Sequence, residues 1–173
     1  LLGQIILVAL SLFILFLFIK QYRVEVLNNI TKISMILSVI LLMVVISSVV
    51  LTLDVNYIYV VPFCIAPIIL KAFFDTRIAL FTHLIAILII GFIVPNGFEF
   101  VFLQLIAGIV SILTVLKMYK RSQLFMSVAK VIVVYFVIYV SFSITHDGSF
   151  VGVDFGILVQ LAISGALTLL AYP

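Results

Sequence analysis

The chain reads as a succession of apolar runs separated by short polar links. The runs cover roughly residues 1–19, 33–53, 57–74, 78–95, 99–116, 124–144 and 152–172. Each is about 18–21 residues, enough to cross about 30 Å of hydrocarbon at about 1.5 Å per helical residue. Lipid offers no partner to a free backbone N–H or C=O, so a run that crosses it must be a helix or belong to a closed barrel. A barrel strand alternates apolar and polar residues, and Ile36–Ile46 does not alternate. The pattern therefore predicts an all-α, polytopic membrane protein. It is expected to be one compact bundle of seven transmembrane helices filling residues 1–173.

The charges supply an orientation. The first link holds Lys20, Arg23, Glu25 and Lys32, the third Lys71, Asp75 and Arg77, and the fifth Lys117, Lys120 and Arg121. The second, fourth and sixth links and their edges hold only Asp54, Glu99, Asp147, Asp154 and His146. Lysine and arginine accumulate on the cytoplasmic side of membrane proteins. The odd links are thus expected inside, with the N-terminus outside and the C-terminus cytoplasmic. Asn29-Ile30-Thr31 matches a glycosylation sequon but falls on the predicted inner side, so it is discounted. Pro95-Asn96-Gly97 and His146-Asp147-Gly148-Ser149 carry turn chemistry in the outer links.

Composition agrees with this reading. The chain is 67% hydrophobic and 9% charged, where soluble domains carry about 25% charge. The net charge of +3 belongs to topology, because the basic residues sit at the ends of apolar runs, and nucleic acid is not an expected partner. One cysteine, Cys64, has no second thiol to pair with. The first run lacks a basic n-region, a clear cleavage site and an initial Met. It is expected to be a mature helix in a chain that begins mid-protein.

Chemistry has to be sought among polar groups within the runs, since each costs energy to place in lipid. Pro62 and Pro67 fall inside the third run and predict a kinked helix, a candidate moving part. Lys130 lies about six residues inside the sixth run, roughly 9 Å deep, where its stem can snorkel to the headgroups. The alternative is pairing with Asp75 or a polar ligand. His83 is expected at the same inner depth, and an interhelical hydrogen bond is its expected role. Gln104 and Gln160 lie in the outer halves of the fifth and seventh runs and are expected to bond between helices or line a shared outer pocket. Small residues on those runs (Ala107, Gly108, Ser111; Ala162, Ser164, Gly165, Ala166) predict that the two pack most closely. Tyr57, Tyr59 and Tyr172 fit an interfacial belt. No metal-ligand spacing, phosphate loop or nucleophile–base set appears, so no catalytic, cofactor or metal residue is assigned.

Several stretches carry a family resemblance. They are Phe73-Phe74-Asp75-Thr76-Arg77-Ile78-Ala79-Leu80-Phe81, Phe98-Glu99-Phe100 followed by Gln104-Leu105-Ile106-Ala107-Gly108, Arg121-Ser122-Gln123-Leu124-Phe125, and Leu170-Ala171-Tyr172-Pro173. In that order, over the whole chain, they resemble the membrane domain of the seven-transmembrane receptors with an intracellular HD hydrolase. The resemblance implies an extracellular sensor domain before this region and a cytoplasmic HD phosphohydrolase after it. Cyclic-di-AMP phosphodiesterase is the family's best-attested activity. It implies divalent metals in that HD domain and none in this chain, which is expected not to be an enzyme itself. Residence in a bacterial inner membrane follows, with the lipid bilayer, the sensor and HD domains, and a second copy in a homodimer as partners. Asp75 and Arg77 would then lie where they can meet the hydrolase. The rival expectation is a small-solute transporter or vitamin-binding membrane subunit, with Gln104, Gln160 and Cys64 lining its pocket.

Overall fold

The computed structural model describes residues 2–115, 122–147 and 153–171. The basic fifth link (Lys117, Lys120, Arg121), the Gly148-Ser149 turn and Tyr172-Pro173 lie outside these residues, as do the side chains of His146 and Asp147. Among the described residues there is no strand. Helices run α1 (Leu2–Tyr22), α2 (Val24–Leu27), α3 (Ile30–Leu53), α4 (Ile65–Phe73), α5 (Thr76–Gly91), α6 (Gly97–Val115), α7 (Ser122–Asp147) and α8 (Phe155–Leu167). Short 3-10 turns cover Val55–Val60 and Thr168–Ala171. Among the described residues, five segments are long and apolar enough to cross a membrane: Leu2–Tyr22, Ile30–Leu53, Val55–Phe73, Gly97–Thr114 and Phe125–Thr145. Thr76–Gly91 and Phe155–Leu170 are apolar but shorter.

Polar residues in the links set where helices start. The Asn29 side chain accepts from the N–H groups of Thr31 and Lys32 and so caps α3. Asp54 accepts from Asn56 N–H at 2.9 Å and opens the first 3-10 turn. Asp154 accepts from Gly156 N–H at 2.7 Å and opens α8. The α5–α6 turn is tight because Gly97 lies directly against the Gly91 carbonyl, where a Cβ would collide with backbone.

The third apolar run is broken rather than kinked. The 3-10 turn ends at Val60, Val61 and Pro62 are extended or irregular, and α4 begins only at Ile65. Pro67 therefore sits in the first turn of α4, where its missing N–H would have had no intrahelical partner. The two prolines do not bend a continuous helix, as the sequence suggested. They bracket the start of a new one.

α5 is the centre of the bundle, packing against α1, α3, α4 and α6. Ile78, Ala79, Thr82, His83, Ile85, Ala86, Ile87, Ile89 and Ile90 are all buried along it. α1 and α3 lie outside it and expose large apolar side chains such as Leu10, Phe13, Leu41 and Val45. In water such a surface would be untenable, whereas in lipid it is the solvated face. α6 lies between α5 and α7, and α7 continues the packing to α8. α8 in turn meets the Val55–Val60 turn.

The predicted close pairing of the fifth and seventh runs is not observed. Among the described residues, no Cα of α6 lies within 8 Å of α8. Their small residues serve other neighbours: Gly108 receives the His83 ring of α5, and Gly165 receives Ile132 of α7. Small residues mark where something approaches closely, but the stretch alone does not say what approaches.

Candidate functional site

A polar cluster occupies the middle of the bundle, where five elements converge. α6 contributes Gln104, Gly108 and Ser111. Gln104 and Ser111 are buried, and Ser111 donates to the Gly108 carbonyl at 2.7 Å. α7 contributes Tyr135, fully buried, whose hydroxyl donates to Gln104 Oε1 at 2.8 Å. The segment before α4 contributes Cys64, whose Sγ lies 3.3 Å from the Tyr135 oxygen. Because the tyrosine proton is directed at Gln104, the thiol is the donor to Tyr135. From α8, Ser164 donates at 2.9 Å to the Val61 carbonyl, which also accepts from Phe63 N–H within the broken run. α5 contributes His83, whose Nε2 lies 3.1 Å from the Gln104 carbonyl oxygen. Nε2 therefore carries the proton.

The cluster is incompletely satisfied. Thr82 Oγ1, His83 Nδ1 and Gln104 Nε2 are buried without a hydrogen-bond partner among the described residues, and so is Gln160 Oε1 on α8. Each such group costs about 1–3 kcal/mol in a soluble interior. In lipid an interhelical hydrogen bond contributes only about 0.6 kcal/mol on average. The network's value is therefore more in fixing which residues face one another than in raw stability. No group in it is paired as nucleophile and base. What the arrangement does is tie α5, α6 and α7 together through His83, Gln104 and Tyr135.

The sequence-predicted residues divide between this core and the surface. His83 and Gln104 meet in it, although they were expected at different depths. α5 is only 16 residues long, so six residues in from Arg77 is already near its middle. Cys64 joins them through Tyr135, while Gln160 is half-buried with its own unpartnered oxygen. Pro62 is half-buried and Pro67 buried beside the break. Asp75 stands at the N-cap of α5 but makes no cap hydrogen bond. Its carboxylate accepts instead from Arg23 at 3.0 Å, which ties the first and third links together at one end of the bundle. With side chains 47% and 31% exposed, that pair contributes about 0–1 kcal/mol. Arg77 is exposed and borders an apolar groove with Tyr22, Phe18 and Phe81, the last two stacked at 4.0 Å. Lys130 is exposed on α7, and Asp75 is engaged elsewhere.

Sequence reasoning missed Tyr135, Thr82 and the bond from Ser164 to Val61. Tyr135 could have been found: a tyrosine near the middle of a span is out of place in an interfacial belt. Ser164 could not, because its partner is a carbonyl far away in sequence.

At the opposite end from Arg23 and Asp75, a cavity of about 200 Å3 is lined by Asn56, Tyr59, Asn96, Glu99, Tyr139 and Ser143, among others. The Tyr139 hydroxyl accepts from the Asp154 N–H at 3.3 Å. Tyr139 is one helical turn from Tyr135 on the same buried face of α7.

A family model described as 7TM receptor with intracellular HD hydrolase matches residues 1–172. No curated protein and no solved structure matches the chain.

Proposed function

The chain belongs to the family of 7TM receptors with an intracellular HD hydrolase, and on that basis we propose that it is the membrane domain through which such a receptor controls its hydrolase. Membership gives it a signalling role in a multi-pass membrane setting. The finer reading is that the seven apolar segments all span, with the N-terminus outside a bacterial inner membrane and the C-terminus in the cytoplasm. α8 is then the output element, leading toward an HD domain that hydrolyses a cyclic dinucleotide such as cyclic-di-AMP with divalent metals. A sensor domain outside the membrane is the input.

The observation that carries this reading is the bond from Ser164 on α8 to the Val61 carbonyl at the broken run. It links the irregular third segment directly to the helix nearest the C-terminus. The unpartnered His83 and Gln104 atoms of the polar core support a core with a second hydrogen-bond pattern. Transmission requires two packings that the signal weighs differently.

The test uses the full-length receptor in lipid nanodiscs, with cyclic-di-AMP hydrolysis as readout. Ser164→Ala and Tyr135→Phe are expected to change basal or stimulated turnover by about 2- to 30-fold, the range for residues in a coupling network. Unchanged turnover in both folded variants would remove the polar core from the mechanism. Equal regulation after replacing the whole region with an unrelated membrane anchor would leave this domain only an anchoring role.

A further inference from the structure

The cavity at the acidic end of the bundle is built from parts that the signalling core does not use. Its wall comes from the Val55–Val60 turn, the α5–α6 link, and the ends of α6, α7 and α8. Tyr59 and Tyr139 are buried at its base. Glu99 lines the same cavity as both tyrosines. Asn56 and Asn96 supply amides at the rim, and both are exposed. Among the described residues, no lysine or arginine lines the cavity. The nearest helix caps, Asp54 and Asp154, are acidic as well.

We infer that this cavity is a binding site for a small organic ammonium ion, held by the Glu99 carboxylate against the rings of Tyr59 and Tyr139. The chemistry selects this class over the alternatives. An anion would sit against the Glu99 carboxylate, with no lysine or arginine among the described lining residues to offset it. A divalent metal needs several oxygen or nitrogen ligands, and among the described residues no three His, Cys, Asp or Glu side chains come together. An alkylammonium group needs one carboxylate, aromatic faces and a few hydrogen-bond acceptors, because the ring quadrupole attracts a cation. The volume of about 200 Å3 admits a ligand of a few heavy atoms and excludes a nucleotide or a sugar chain. Ammonium groups reach such a site either as free amines or as the headgroup of a neighbouring ethanolamine lipid, and both offer the same contact.

The consequence of binding is local to the broken third segment. Val55, Asn56, Ile58 and Tyr59 form part of the wall, and the chain break follows at once. Tyr139 lies one turn above Tyr135 of the polar core. A cation drawn between Tyr59 and Tyr139 fixes the spacing of the third segment against α7. The binding itself stands independently of any effect on a hydrolase.

The experiment is isothermal titration calorimetry on the intact chain in phosphatidylglycerol nanodiscs. The probes are ethylammonium and ethanolamine, with acetate and glycerol as size-matched controls. In a second arm, phosphatidylethanolamine is doped into the discs and its protection is read as a rise in unfolding temperature. Saturable heat with the free amines, and none with the controls, identifies a soluble amine. Stabilisation by the doped lipid without heat from the free amines identifies the headgroup. Glu99→Gln is expected to weaken the response about tenfold or more, since it keeps the shape and removes the charge. Asn96→Asp adds a carboxylate at the rim and is expected to tighten it severalfold, a gain that misfolding cannot produce. No response in either arm, a response to acetate equal to that for the amines, or an unaltered response in both variants would overturn the proposal.

Discussion

The contact that most tightly constrains a single residue is the His83 ring against Gly108. A Cβ at position 108 would fall onto that ring, which is buried and held by the Gln104 carbonyl at 3.1 Å. Gly108→Ala is therefore expected to destabilise the bundle by about 1–3 kcal/mol, the usual cost of overpacking. Helix propensity alone would favour the alanine by roughly 1 kcal/mol, so the sign of the change decides between the two effects. Thermal unfolding in mild detergent measures it. In a double-mutant cycle, His83→Ala should relieve most of the damage. An additive result would place the clash elsewhere. The sequence pointed to His83, Gln104 and Gly108 individually, because polar and very small residues stand out in apolar runs. It could not join them, since helix rotation decides which side chains meet and an all-round apolar run leaves rotation unspecified. Cys64 was visible as a lone thiol, but its donation to Tyr135 depends on a chain path that the prolines create.

Among the elements, the third span departs furthest from its sequence pattern. A continuous apolar run with two prolines looks like a bent helix, yet the chain gives up the helix between Val61 and Cys64 and restarts it. Backbone groups freed this way survive in a membrane only when protein satisfies them. The Val61 carbonyl accepts from Ser164, and Ile65 N–H reaches the Pro62 carbonyl at 3.0 Å. Because Pro67 occupies an N-terminal position of α4, Pro67→Ala restores no lost helical bond. It is expected to change stability by less than about 1 kcal/mol, mainly through the unfolded chain. Proline at Leu70, inside α4 (Ile65–Phe73) where it would remove a helical N–H and clash with the carbonyl four residues earlier, should cost about 3 kcal/mol or more. Equal losses at the two positions, read from unfolding temperatures, would mean that α4 extends back through the break. Helix existence was legible for every apolar run, because length and hydropathy dictate it. The break was not, because whether a proline kinks or starts a helix is settled by the partners its neighbours find.

For the molecule as a whole, the charge pattern and the packing agree on two chemically distinct ends. Arg23 and Asp75 unite the first and third links at one, while Asp54, Glu99 and Asp154 gather near the cavity at the other. The orientation expected from the positive-inside rule is directly testable. In a Cys64→Ser background, an impermeant maleimide added outside intact cells should modify a cysteine at position 56 and spare one at position 20. The reverse pattern would invert the topology. Native Cys64, fully buried, is expected to resist the same reagent until the protein unfolds.

The central helix also fixes how the domain meets its solvent. α5 spans 16 residues, about 24 Å at 1.5 Å per residue, whereas the hydrocarbon layer is about 30 Å thick. Its neighbours α1, α3, α4 and α6 pack around it, and as a span it would leave about 6 Å of that layer unmatched. A lipid with shorter tails matches that length better, and mismatch costs fractions of a kcal/mol per Å. Stability is then expected to depend on bilayer thickness: unfolding temperature should rise from 22-carbon to 14-carbon phosphatidylglycerol. A receptor built around so short a pivot would register the thinning or stretching of its own membrane.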